Sequence, residues 1–172
     1  MSTYFVDAGL TYEGDPVTTL TGLWHLEGQT VQILADGAVE TEQVVTDGAI
    51  VLPVAASVVH VGLAYRSYIR TLPLVFDGAA ASGQGTYKNV RHVYLRVYRS
   101  SQAKIGPTLD RLVEHRGRSA ETAYDTAPPL ANEEMSVGVQ PSWNPDGAVY
   151  VVQDLPLPLT VTAMALDVAA GG

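Results

Sequence analysis

YKNVRHVYLRVYR, from Tyr87 to Arg99, is the stretch on which the fold turns. Val93, Leu95 and Val97 follow Arg91 at every second position, and His92, Tyr94, Arg96 and Tyr98 fill the gaps. A period of two places alternate side chains on opposite faces of a strand, whereas a helix would repeat its apolar residues every three or four. One face is aliphatic and fit for a core; the other is aromatic and basic. This is a half-buried strand.

The same period recurs on either side. Thr30 to Ala35 sets Val31, Ile33 and Ala35 against Thr30, Gln32 and Leu34 and ends at Asp36-Gly37. Asp-Gly favours a type I′ hairpin turn, which needs positive φ at both central residues. Glu42 to Val45 leads into a second such pair, Asp47-Gly48, followed by Ala49 to Leu52. Ser57 to Leu63 places Val59, Val61 and Leu63 on one face and Val58 and His60 on the other. Tyr68 to Phe76 reads as a further strand, with Pro73 assigning it to an edge or bulge. Beyond Arg99, Glu133 to Val139, Ala148 to Gln153 and Leu159 to Val168 read as strands, with Asp146-Gly147 turning between two of them. Leu109 to His115 fits either a helical turn or an edge strand, and Tyr124 to Asn132 reads as loop. The expected fold class is all-β with little helix. Residues 1–76 form a small barrel- or sandwich-like unit, 77–86 a flexible loop or linker, and 87–172 an antiparallel sandwich-like unit.

Composition agrees. Hydrophobic residues make up 47% of the 172 and charged residues 16%, enough apolar matter for a core and too little charge for disorder. Charge is segregated along the chain. Residues 1–65 carry eight acids and no Lys or Arg, all ten bases fall between Arg66 and Arg118, and seven acids follow without a base. Either neighbouring strands pair these blocks, or acidic and basic surfaces meet between subunits. A net charge of −8 argues against a dedicated nucleic-acid binder but suits a wall past which DNA slides without sticking. No apolar run is long enough for a membrane helix, and the N-terminus lacks the layout of a signal peptide. A product made in the cytosol, or a virion part assembled there, is the expectation.

Chemistry finds little foothold. With no cysteine, disulfides, thiolate metal sites and thiol nucleophiles are excluded. His25, His60, His92 and His115 show no metal-ligand spacing, and His60 and His92 read as hydrogen-bonded structural histidines within strands. No Gly-x-Ser-x-Gly elbow occurs, Gly83-Gln84-Gly85 lacks the spacing of a phosphate loop, and Glu133-Glu134 would point to opposite faces of a strand. No catalytic residue, cofactor or metal is expected. The candidate interaction face is Tyr94, Arg96, Tyr98 and Arg99, with Trp143 on the Pro-Ser-Trp-Asn-Pro segment. These side chains can stack on sugars or bases, or serve as ordinary cross-strand packing.

Four stretches carry a resemblance: VDAGLTYEGDPVTTLTGLWHLEGQTVQILADGAV (Val6 to Val39), VVTDGAIVLPVAASVVHVGLAYRSYIRTLPL (Val44 to Leu74), VRHVYLRVYRSSQAKIGP (Val90 to Pro107) and DLPLPLTVTAMALDV (Asp154 to Val168). Together they resemble the C-terminal part of tail nozzle, or tail tubular, proteins of podovirus-type bacteriophages and prophages. The resemblance implies a non-catalytic structural part of a virion tail, cut from a longer parent. Its implied partners are other copies of the parent and neighbouring tail proteins, with transient passage of DNA. A host-surface or carbohydrate-binding module using Tyr94, Arg96, Tyr98 or Trp143 is the alternative.

Overall fold

A computed structural model describes residues 5–75, 85–115, 127 and 129–171. It is all-β: twelve strands and one turn of 3-10 helix among the described residues. The chain divides into two compact units. One comprises Met1–Arg66, Arg118–Pro129 and Asp154–Pro158; the other comprises Ser67–Gly117, Leu130–Gln153 and Leu159–Gly172. The boundary thus falls at Arg66, ten residues earlier than the strand pattern suggests, and later segments return to each unit. The expected linker at 77–86 lies outside the described residues except for Gly85 and Thr86.

The first unit holds β1 (Asp7–Thr21), the 3-10 turn Trp24–Leu26, β2 (Thr30–Ala35), β3 (Ala38–Val39), β4 (Gln43–Val44) and β5 (Ala49–Leu63). Its sheet runs β1-β5-β2-β3, with β4 also paired to β2. The expected strands Ala49 to Leu52 and Ser57 to Leu63 are one strand, β5, and Pro53 sits inside it. Proline is tolerated there because β1 pairs Val17 with Ala56 and Thr19 with Val51, so a bulge spans the residue that cannot donate. β1 itself was not legible as a strand: Gly9, Gly14 and Pro16 break its pattern, and its long pairing with β5 overrides them.

Alternation sends one face of each strand into this unit's core, and Gln32 and Leu34 on the other face of β2 are buried as well. Val31 and Ile33 of β2 and Val59 and Val61 of β5 are fully buried, and Ile33 lies opposite Val61 in the ladder. Each such side chain contributes roughly 1.5–3 kcal/mol. They join Leu20, Leu23, Leu26, Val45, Ile50 and Leu52 in one cluster. The Gln43 amide completes the wall between β4 and β5, receiving the Val51 N–H at 3.2 Å and donating to the Val51 carbonyl at 2.7 Å. A side chain here does what a strand backbone does elsewhere.

The second unit is a sandwich. β6 (Ser67–Arg70), β7 (Lys88–Val97), β8 (Ala103–Gly106), β9 (Val113–His115), β10 (Glu134–Gly138), β11 (Tyr150–Gln153) and β12 (Val161–Ala170) form two antiparallel sheets, β10-β7-β12 and β6-β11-β8-β9. Val93, Leu95 and Val97 of β7 face Ile105, Met135, Val137, Val149 and Val151 in a single core. β9 resolves the ambiguous segment as an edge strand, paired with β8 from Ala103↔His115 to Ile105↔Val113. β6 belongs to this unit because it pairs with β11, Ile69 opposite Val151.

Candidate interaction surface

The outward face of β7 is built as its period dictates. With Val93, Leu95 and Val97 in the core, His92, Tyr94, Arg96 and Tyr98 emerge on the other side. His92 and Tyr94 stack with ring centroids 6.3 Å apart and planes 23° from parallel. Asp167, on β12 opposite His92, accepts from the Arg91 guanidinium at 2.7 Å and sits 3.8 Å from His92 Nδ1. Tyr94 is partly buried, and Arg96 and Tyr98 are exposed. Arg99 leaves the face: its φ is +46°, the strand has ended, and its N–H donates to Asn132 Oδ1 at 2.8 Å.

Trp143 lies elsewhere. The segment carrying it bridges to the start of β7 through Lys88 and Asn144, and its ring lies beside Gly171. Along the strand, that end is about 30 Å from Tyr98. Tyr94, Arg96 and Tyr98 therefore share a face, while Arg99 and Trp143 do not join it. A platform that grips one ring-sized ligand between Trp143 and the tyrosines is not formed.

The two strand histidines differ. His60 is buried, and its Nδ1 lies 2.8 Å from the Thr11 hydroxyl across the β1–β5 ladder. Burial lowers its pKa below the ordinary 6.5, against an opposing pull from the Glu13 carboxylate. His92 is exposed and faces Asp167. Among the described residues, no group of three or more His, Asp or Glu side chains is placed to hold a metal, and no helix is long and apolar enough to cross a membrane.

Two features gave no sign in the sequence. Lys88 is completely buried, with its ammonium donating to the Pro145 carbonyl at 2.7 Å and the Thr86 carbonyl at 3.1 Å. It anchors the chain ahead of β11. The other is where the charge resides. By residue membership, the first unit contains eleven acids against Arg66 and Arg118, a formal −9, and the second seven acids against eight bases, a formal +1. The ion pairs Arg70–Asp146 and Arg91–Asp167 both lie within the second unit. Among the described residues, none of the eight acids from Asp7 to Asp47 forms an ion pair with Lys or Arg. Within the second unit, then, two bases of the middle block pair with two acids of the last, while the first unit stays acidic.

No family model matches the chain, and no curated protein matches it.

Proposed function

We propose that this chain is a non-catalytic structural part of a bacteriophage or prophage tail, belonging to the distal tail tube or nozzle. It acts as wall and joint in an assembly of parent copies and neighbouring tail proteins, put together in the host cytoplasm. The observation that carries the reading is the formal −9 of the first unit, eleven acids against two bases. Such a surface repels a phosphate backbone, so DNA passes without being held. Exposed apolar side chains on both units add support. Trp24, Val51 and Val54 lie on one, and Tyr68, Ile69 and Leu72 on the other. Surfaces of this kind suit contact with other subunits. The resemblance to tail nozzle proteins points the same way.

Immunogold electron microscopy tests it. Antibody raised against this chain should decorate the distal tail of particles from the strain that encodes it. Particles with clean tails, and antigen confined to the soluble cell fraction, would overturn the reading.

A further inference from the structure

Edge strands are ordinarily guarded against pairing with other chains by bulges, prolines, charges or shortness. β1 and β12 pair through register shifts, β3 has two residues and β9 three. β10 is regular but exposes Glu134, Ser136 and Gly138. β6 is short and ends on Arg70, but that charge is paired with Asp146 and no bulge interrupts the strand. It matches β11 residue for residue, and all four of its residues are exposed. Tyr68 is 58% exposed and Ile69 56%, and Leu72 and Val75 just beyond it are 83% and 59% exposed.

We propose that two copies of this chain join through β6, edge to edge and antiparallel, about a two-fold axis passing between their Ile69 residues. The existing ladder decides the register. The Thr71 N–H donates to the Val149 carbonyl at 3.0 Å. Alternation then turns the backbone groups of Thr71, Ile69 and Ser67 toward β11 and those of Tyr68, Arg70 and Leu72 outward. Only outward-facing residues can exchange hydrogen bonds with a second copy, which leaves three central registers. A pairing centred on Arg70 sets the two guanidiniums opposite each other. One centred on Tyr68 sets each Arg70 opposite Arg66 of the other copy. The pairing centred on Ile69 sets Tyr68 opposite Arg70 twice and opposes no like charges.

That pairing suits the chemistry already present. Arg70 is held by Asp146 at 2.8 Å and lies 5.8 Å from the centroid of Tyr150, so it enters neutralised and beside an aromatic ring. Ile69 lies opposite buried Val151, on the core face of its sheet, and the second Ile69 would extend that core across the axis. Pro73 has no N–H and ends the ladder after Leu72. Tyr68, Ile69 and Leu72, each more than half exposed in each copy, place the contact at the small end of the range, below about 1,200 Å² in all, the size of weak, reversible association. The inference does not rest on the tail reading. A two-fold contact relates copies pointing in opposite directions, and so is separate from any contact that closes a ring around one axis.

The absence of cysteine makes the test direct. In the Ile69-centred register the two Cα atoms at position 69 are about 4.5 Å apart, within disulfide reach. Oxidised Ile69→Cys should become a covalent dimer at least tenfold faster than Val54→Cys, a comparably exposed position on β5. In sedimentation velocity, wild type should form a dimer that dissociates on dilution. Ile69→Lys should keep the wild-type circular dichroism and sediment as a monomer. A wild type that stays monomeric at high concentration would overturn the proposal. So would Ile69→Cys crosslinking no faster than Val54→Cys, whether or not the lysine variant folds.

Discussion

His60 sits between two demands, buried among strands yet bonded to Thr11. Its pKa is lowered in the fold, so between that value and about 6.5 the unfolded chain binds more protons than the folded one. The stability that neutral His60 brings is fully present above pH 6.5 and is lost as pH falls below it. Thermal melts across a pH series should show this decline, and His60→Asn should flatten the part below 6.5. An unchanged slope in the variant would assign the acid sensitivity to other groups. Gly48 offers a second residue-scale test. Its φ is +64°, and a Cβ there would lie 2.4 Å from the Trp24 ring. Gly48→Ala should cost on the order of 1–3 kcal/mol in chemical denaturation. Trp24 is largely exposed and can move aside, so most of that loss should persist in a Trp24→Ala background.

Turns and ladders behave as elements. Asp36-Gly37 and Asp47-Gly48 both have positive φ at both residues, as a type I′ turn requires. Each is fastened by a carboxylate: Asp36 accepts from the N–H groups of Ser57 and Val58, and Glu27 accepts from those of Asp47 and Gly48. Asp36→Ala removes an acceptor from two β5 donors and leaves a residue poorly suited to positive φ. The loss should be about 2 kcal/mol by equilibrium unfolding. Asp146-Gly147 looks identical in sequence but has positive φ only at Gly147, and Asn144 Oδ1 accepts from both N–H groups. It makes no hairpin. β10 before it pairs with β7 and β11 after it pairs with β6 and β8, so the chain there passes from one sheet to the other. A dipeptide specifies local backbone; which strands it joins depends on distant partners.

At the scale of the whole molecule, charge is the distinguishing property. The acidic first unit should keep the chain from retarding duplex DNA in low salt. Reversing Glu13, Asp15, Glu40 and Glu42 to Lys should produce binding that weakens as salt rises. Retardation by the wild type would contradict the proposed wall. The sequence by itself determined the fold class, the core faces of β2, β5 and β7 and the positions of two hairpin turns. Each depends on a period of two or on a local φ that a short stretch encodes. It also marked Tyr94, Arg96 and Tyr98 as neighbours, since residues two apart on a strand share a face. Only the tertiary structure decided the rest. It made β1 a strand, moved β6 into the second unit, separated Trp143 from the tyrosines and buried Lys88. Those outcomes depend on pairing and packing between residues far apart in the chain, and no local pattern carries that information.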